Sequence, residues 1–189
     1  MFDLLLSNFA LHIQLHEHEQ AHVLAQFKPV TIRKNEVLLA AGDICKNIYF
    51  VNSGCLRLFY SDKNGDQHNL LFYPENWWAA DMASFSAQKP ANYNIDALEQ
   101  SEIFALSWQA LEKLYAEVPK LERFFRILTQ NGFALYQRRV MANQSQTAEE
   151  RYARFSKQYP GLEQRIAQKH IAAYLGITPV FLSMIRRNK

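Results

Sequence analysis

Residues 168–187, QKHIAAYLGITPVFLSMIRR, constrain the fold of this chain more than any other stretch. Their apolar spacing fits two short helices that meet at a tight corner. Ile171, Ala172 and Leu175 can share one face of the first helix, and Gly176 can end that helix in a left-handed conformation. We therefore predict a sharp exit from the first helix at Gly176.

The residues after the corner predict a second helix. Ile177 can fill the corner, the Thr178 hydroxyl can cap free backbone N–H groups, and Pro179 suits the first helical position. Leu182 and Ile185, three residues apart, face back towards the first helix. This combination is typical of a helix-turn-helix, although a helical hairpin that closes some other core remains an alternative.

The rest of the second helix is left to point outward, where a recognition helix would enter the major groove of DNA. Lys169, Arg186, Arg187 and Lys189 flank this helix and could meet backbone phosphates, which supply affinity without sequence information. The predicted DNA-binding residues are Lys169, Thr178, Pro179, Val180, Ser183, Met184, Arg186 and Arg187.

Charge divides the chain in the same way. Residues 138–189 hold ten Lys or Arg and three Asp or Glu, a net charge of +7, whereas residues 1–137 carry −4. A basic segment that contains a helix-turn-helix favours contact with nucleic acid.

Composition favours a globular protein, because 49% of the 189 residues are hydrophobic and 13% are aromatic. No apolar run approaches the ~20 residues that span a bilayer, and the first residues lack the pattern of a secretory signal. We therefore expect a cytoplasmic protein. The only cysteines, Cys45 and Cys55, are too few for a disulfide framework or a four-thiolate cluster.

The middle of the chain is rich in short β-type runs separated by turn residues, which predicts a barrel or jelly roll. The predicted strands are Lys28 to Arg33, Val37 to Ala40, Asn47 to Asn52, Cys55 to Ser61, Gln67 to Tyr73, Tyr93 to Ala97 and Glu102 to Leu106.

Helical spacing is found before and after this region. We predict helices over 11–26, 108–116 and about 119–143. In the long third helix one near-heptad stripe could contact a second copy of the chain, or both of its faces could be buried in one subunit. The predicted dimer-helix residues are Leu121, Phe125, Leu128, Gly132 and Leu135.

A polar segment at 143–147 is the best candidate for a hinge, since Thr147 could cap a new helix that carries Glu149 and Glu150 in its first turn. We predict two domains, a β-roll with the long helix over residues 1–143 and an all-helical helix-turn-helix domain over residues 144–189.

This order of parts resembles the Crp/Fnr-type transcription regulators. The resemblance rests on FKPVTIRKNEVLLAAGD at 27–43, NIYFVNSGCLRLFY at 47–60, YNIDALEQSEIFALS at 93–107 and the corner at 168–187. It implies an α+β fold with a cyclic-nucleotide-binding-like β-roll, a long dimerisation helix and a C-terminal helix-turn-helix. It also implies a homodimer that binds double-stranded DNA and regulates transcription.

The residues that hold cyclic nucleotide in this family differ here. The family uses a Gly-Glu pair and, some ten residues on, an Arg followed by Ser or Thr. Here Ala80-Asp81 stands at the first pair and Ala91-Asn92, or the pair one residue on, at the second. A buried phosphate needs a counter-charge, and Lys89 fits a solvated loop tip better. We therefore expect no cyclic AMP binding and no cofactor.

The same stretch could instead line a pocket for an unidentified small-molecule effector. The candidate pocket residues are Trp77, Trp78, Asp81, Phe85 and Tyr93, which equally suit the core of the barrel.

Family activators often carry Glu and Arg on the recognition helix where Val180 and Met184 stand here. These apolar side chains could touch thymine methyl groups, with Ser183 and Arg187 donating hydrogen bonds nearby. Alternatively, the protein binds DNA with little sequence discrimination. Because the sequence stops at Lys189, we expect no β-hairpin wing and lighter anchoring to phosphates.

Other functions are less well supported. His12, His16, His18 and His22 include pairs at i, i+4 spacing that zinc could use, but a polar helix surface explains them as well, and we predict no metal site. The barrel segment has only His68 as a histidine, which argues against a metal-dependent cupin-like enzyme. We assign no catalysis.

A regulator that acts through protein partners with a degenerate DNA module remains an alternative, and RNA polymerase remains a candidate partner.

Overall fold

The computed structural model describes residues 1–187, which form a β-roll, a long helix and a C-terminal group of short helices. The strands are β1 (Lys28–Ile32), β2 (Val37–Leu39), β3 (Asn47–Ser53), β4 (Leu56–Ser61), β5 (Gln67–Tyr73), β6 (Trp78–Ala79), β7 (Asn94–Ala97) and β8 (Ser101–Ser107). The helices are α1 (Asp3–Ala10), α2 (Glu17–Leu24), α3 (Met82–Ala87), α4 (Trp108–Glu117), α5 (Lys120–Ser145), α6 (Ala148–Gln158), α7 (Leu162–Arg165), α8 (Gln168–Leu175) and α9 (Pro179–Arg187). The predicted α+β class is confirmed.

The β-roll consists of two antiparallel sheets with the strand orders β1-β8-β3-β6 and β2-β7-β4-β5. Apolar side chains from both sheets, among them those of Phe50, Leu56 and Ile95, are fully buried between them. The seven strands predicted from the sequence are confirmed to within one residue at each end. Strand β6 was not predicted, because two residues are too short to show a periodicity.

The helix predicted over 11–26 is wrong in its first part. The backbone from Leu11 to His16 is irregular, and α2 begins only at Glu17. Ile13 and Leu15, two residues apart in this segment, are both buried in the core. Burial of every second residue is typical of an extended chain and not of a helix. The His16 backbone N–H donates to Glu19 Oε2 at 2.7 Å, which fixes the start of α2.

The predicted dimer stripe on α5 packs within its own subunit. Leu121 and Phe125 are buried in the core of the β-roll, and Leu128 and Leu135 pack against that core with partial burial. Gly132, on the same stripe, is also partly buried. The assignment of Leu121 and Phe125 to a contact with a second chain is therefore wrong, because neither side chain is accessible to a partner.

A different face of α5 carries exposed apolar side chains. Phe133, Val140 and Met141 are 64%, 55% and 53% exposed. Phe133 and Val140 are seven residues apart and so lie on one side of the helix. This face is open to a partner, whereas Leu121 and Phe125 of the predicted stripe are not.

The linker between α5 and α6 is shorter than the predicted hinge. Helix α5 continues to Ser145, so only Gln146 and Thr147 separate it from α6. The Thr147 hydroxyl accepts a hydrogen bond from Glu150 N, and the Glu150 carboxylate accepts one from Thr147 N at 2.8 Å. The predicted cap at Thr147 is thus present, and the division at residue 143 remains a prediction.

Among residues 1–187, no helix combines the length and the apolar character that crossing a lipid bilayer requires.

Candidate nucleic-acid interface

The corner between α8 and α9 has the geometry that its sequence predicts. Gly176 adopts φ 68°, a left-handed conformation, and Ile177 N donates to Ala172 O at 3.1 Å across the corner. Ile171 and Leu175 are buried on the inner face of α8. The two helices are therefore held in a fixed relation by a closed backbone turn and a packed apolar face.

The start of α9 also follows its sequence. The Thr178 hydroxyl oxygen accepts a hydrogen bond from Phe181 N at 3.2 Å, and Pro179 is the first helical residue. Leu182 and Ile185 are buried against the rest of the helical group. Because Thr178 caps the helix with its lone pair, its O–H remains able to donate to a phosphate oxygen.

The outer face of α9 points to solvent and consists of Pro179, Val180, Ser183, Met184 and Arg187. Val180 and Met184 are 73% and 56% exposed. The Ser183 side chain, which is partly buried, lies within 3.2 Å of Gln168 Oε1 and 3.1 Å of Pro179 O. The structure thus brings these predicted residues together on one surface. Exposed large apolar side chains on a helix of a packed domain are typical of a binding surface.

Basic side chains border the outer face of α9. Lys169 and Arg187 are exposed and Arg186 is partly buried. Lys189, which was also predicted to meet phosphates, lies outside the described residues. The sequence analysis missed Phe181, whose side chain is 40% exposed beside Val180.

The helix-turn-helix is joined to the β-roll through a buried arginine that the sequence analysis did not single out. Arg57 on β4 forms two hydrogen bonds with Asp96 on β7, Nε to Oδ1 at 2.7 Å and Nη2 to Oδ2 at 2.8 Å. Its Nη1 donates to Asn69 Oδ1 at 3.1 Å and to His170 Nδ1, on α8, at 3.0 Å. The network therefore crosses from one sheet of the β-roll to the first helix of the corner.

The position of His170 in this network affects its titration. Burial, and then the positive charge of Arg57, lower the pKa of His170 to about 4. Because a guanidinium can only donate, Nδ1 of His170 must accept, which requires the neutral ring. The sequence shows only an arginine among the mostly apolar residues of β4, and its pairing with Asp96 is seen only in the structure.

Two further contacts support this junction. Arg165 Nη1 and Nη2 donate to both carboxylate oxygens of Glu75, at 2.9 and 2.7 Å, and Arg165 also pairs with Glu99. Phe72 on β5 packs edge-on against Tyr159, with ring centroids 5.6 Å apart. Burial raises the pKa of Tyr159 well above its usual value, so this phenol stays neutral.

The predicted effector-pocket residues are mostly part of the core. Trp78 and Phe85 are buried, and Trp78 Nε1 donates to Asn8 Oδ1 at 2.9 Å. Trp77 is partly buried and packs against both the core of the β-roll and the apolar cluster of the C-terminal helices, where its ring centroid lies 5.5 Å from that of Tyr159. Trp78, Phe85 and Tyr93 therefore belong to the core of the β-roll and Trp77 lies between the two clusters, an arrangement that the sequence spacing could not show.

Asp81 is buried at the N-terminus of α3. Its Oδ1 accepts a hydrogen bond from Ser84 N at 3.1 Å and its Oδ2 accepts one from Asn92 N at 3.2 Å. Lys89 is exposed, and its carbonyl oxygen accepts a hydrogen bond from Ser84 Oγ. The Asp81 carboxylate therefore already accepts hydrogen bonds from the backbone N–H groups of Ser84 and Asn92, which a bound anion would otherwise need.

The N-terminal histidines have separate environments. His12 precedes α2 and its ring packs on Phe124, whereas His22 Nε2 lies 2.6 Å from Glu117 Oε2. His16 and His18 have stacked rings with centroids 5.9 Å apart. Within residues 1–187, no group of three or more His, Cys, Asp or Glu side chains could hold a metal ion.

The chain is similar in sequence to a known domain family and to known regulatory proteins. A profile for the cyclic nucleotide-binding domain matches residues 29–118. The regulatory protein HlyX of Actinobacillus pleuropneumoniae is 26% identical over 92% of this chain and 76% of its own length. The fumarate and nitrate reduction regulatory protein of Escherichia coli K12 is 25% identical over 97% of this chain and 77% of its own length.

Solved structures share the fold at lower sequence identity. FixK2 from Bradyrhizobium japonicum superposes with a TM-score of 0.76 at 16% identity, over 86% of this chain and 83% of its own. The c-di-GMP-responsive global regulator CLP of Xanthomonas campestris gives a TM-score of 0.74 at 12% identity, over 92% and 91% of the two chains. With a cyclic-nucleotide-binding fold, a long helix and a helix-turn-helix in this order, the chain is similar over most of its length to transcription regulators of the Crp/Fnr type.

Proposed function

We propose that this chain acts as a homodimer that places the outer face of α9 in the major groove of operator DNA. The observation that carries the proposal is the exposure of Val180 and Met184 on a helix whose other face is fixed by buried Leu182 and Ile185. A helix that is held rigidly and shows its apolar side chains to solvent is suited to a groove whose thymine methyl groups are apolar.

In this proposal the residues of the corner divide into two roles. Val180 and Met184 touch base edges, while Ser183 and Arg187 donate hydrogen bonds to nearby acceptors. Lys169, Thr178 and Arg186 donate to phosphates and orient the helix, while Pro179, which has no N–H, makes only van der Waals contact with the DNA. The net charge of +7 over residues 138–189 supports this assignment.

Dimerisation is proposed through the exposed apolar face of α5. Phe133, Val140 and Met141 leave a row of apolar surface on the one long helix described. Two copies packed along this row would present two α9 helices, which suits half-sites one turn of DNA apart. We also propose a cytoplasmic location, where such DNA is accessible.

Cyclic AMP is proposed not to be the ligand of the β-roll. A cyclic phosphate at α3 would meet the carboxylate of Asp81, which is 3% exposed and already bonded to the backbone of Ser84 and Asn92. The negative charges of the phosphate and of Asp81 would repel each other, and α3 carries no lysine or arginine that could offset them. We therefore propose an effector of another kind or none, and we propose neither a cofactor nor catalysis.

Selection of bound fragments from a random DNA pool tests the proposed function. The protein should enrich a partly palindromic sequence. The logarithm of its binding constant for that sequence should fall linearly with the logarithm of the salt concentration. Recovery of no fragment at low salt would contradict DNA binding. It would favour the alternative of a regulator that acts through protein partners, RNA polymerase among them.

A further inference from the structure

Four arginines line one cleft between the long helix and the helix-turn-helix domain. Arg138 and Arg139 come from α5, and Arg151 and Arg154 come from α6. No aspartate or glutamate lines this cleft, and none of the four arginines has a carboxylate partner within 4 Å in the part of the chain that the structure describes. We call this site the arginine cleft.

Buried donors in the arginine cleft lack acceptors. Arg139 Nη1, Arg151 Nε and the side-chain Nε2 of Gln158 are all shielded from solvent and have no hydrogen-bond partner among residues 1–187. All three atoms carry hydrogens and none can accept. A buried donor without an acceptor costs free energy. A ligand that brings acceptor atoms to this site would remove that cost.

The other nitrogens of these arginines are already fixed by the backbone. Arg139 Nη2 donates to the carbonyls of Asn69 and Tyr174 at 2.7 and 2.9 Å. Arg151 donates to the carbonyls of Gln146 and Leu175 at 2.8 and 3.1 Å. The two guanidinium groups therefore cannot turn away to find other partners, and their free N–H groups stay directed as they are.

Two arginines elsewhere in the fold, the buried Arg57 and the exposed Arg165, provide the contrast. Arg57 is paired with Asp96, and Arg165 is paired with Glu75. In both cases the protein supplies the anion that neutralises the guanidinium. In the arginine cleft the protein supplies the cations alone, which points to an anion from outside the chain.

We propose that the arginine cleft binds a small tetrahedral oxyanion, either free phosphate or a single phosphate group of a small molecule. The enclosed part of the cleft measures only about 30 Å³, and the exposed Arg138 is one of its lining residues. An oxyanion held by these arginines would therefore remain partly solvated, and the cleft could not enclose a whole nucleotide.

An anion in this cleft would bridge the two parts of the molecule. It would contact the C-terminal half of α5 and one side of α6 from Arg151 to Gln158, while Tyr174 and Leu175 at the end of α8 also line the cleft. Binding would therefore stabilise one orientation of the helix-turn-helix relative to α5. This site is separate from the outer face of α9 and from Asp81, so it does not depend on the proposed DNA contacts.

Phosphate titration of the full-length protein by isothermal calorimetry, at constant ionic strength, tests this site. The wild type should bind phosphate and sulfate saturably with one site per chain. The double substitution Arg138→Gln and Arg154→Gln removes two charges and leaves the backbone contacts of Arg139 and Arg151 intact, so phosphate affinity should fall at least about tenfold. Arg126→Gln, an exposed arginine on the same helix outside the cleft, should leave the affinity unchanged.

Gln158→Met gives a second test that does not depend on net charge. Because its Nε2 has no partner without an anion, an apolar side chain of similar shape should not destabilise the anion-free protein. Without phosphate, the midpoint of thermal unfolding of Gln158→Met should therefore equal or exceed that of the wild type. The rise in this midpoint on adding phosphate should be smaller in the variant than in the wild type.

Three results would overturn the proposal. They are the absence of saturable phosphate binding, equal losses of affinity in Arg126→Gln and the double variant, and undiminished stabilisation by phosphate in Gln158→Met. If the double variant weakens only the binding of DNA while free phosphate does not bind the wild type, these arginines contact the DNA backbone and the small-anion site is refuted.

Discussion

Lowering the pH should weaken the junction between the helix-turn-helix and the β-roll through His170. Its Nδ1 accepts from Arg57 at 3.0 Å, so protonation of the ring would replace a hydrogen bond by the meeting of two cations. The pKa of His170 lies near 4 in the folded chain, mainly because of burial, and about 6.5 in an unfolded chain. The contribution of this hydrogen bond to the free energy of unfolding is fully present above about pH 6.5 and is lost as the pH falls towards 4.

The magnitude follows from these two pKa values. Full linkage would cost about 2.5 kcal/mol of unfolding free energy at pH 4.5 relative to pH 7. The His170 side chain is only partly buried, so solvent screening reduces this cost and we expect about 1 kcal/mol. With a urea dependence of about 2.5 kcal/mol/M, the midpoint should shift by about 0.4 M.

Urea unfolding of the wild type and of His170→Gln, at pH 7 and pH 4.5, measures this difference. Glutamine can still accept from Arg57 through its amide oxygen but cannot be protonated, so it removes only the titration. The loss of stability on acidification should be about 1 kcal/mol smaller in the variant. Equal losses in the two proteins would refute the assigned role of His170, since every other titrating group is common to both.

Two further predictions concern packing and assembly. Gly54→Ala should destabilise the β-roll by more than about 3 kcal/mol in urea unfolding, because the new Cβ would lie 2.2 Å from Ser101 Oγ at a φ of 92°. Gly65→Ala also has a positive φ but open space, so it should cost only about 1 kcal/mol, and equal costs would contradict the steric argument. Phe133→Glu with Val140→Glu should shift the protein from dimer to monomer in sedimentation velocity, and an unchanged mass would contradict dimerisation through this face of α5.

Local patterns were enough to predict most of the secondary structure. Alternation and turn residues fixed the ends of strands such as Gln67–Tyr73, and the order glycine, threonine, proline located the start of α9 correctly. These signals depend on neighbours in the chain, so they survive without knowledge of the tertiary structure.

Features that depend on distant residues were missed. The stripe with Leu121 and Phe125 has the spacing of a dimer interface, but the same spacing serves a helix packed on its own β-roll. Arg57 and Asp96 are 39 residues apart, and nothing local to either residue indicates their pairing. The arginine cleft likewise forms only when α5, α6 and α8 meet.

We infer above all that the outer face of α9 contacts DNA bases, which a comparison of binding affinities between matched variants can check. Fluorescence anisotropy on the selected DNA fragment should show that Val180→Asp with Met184→Asp lowers affinity at least about tenfold, because two new carboxylates would face bases and phosphates. A matched control is Val37→Asp with Met82→Asp, which introduces the same charges at exposed residues of the β-roll. The account predicts that the control binds like the wild type, and equal affinity of the α9 variant and the control would contradict it.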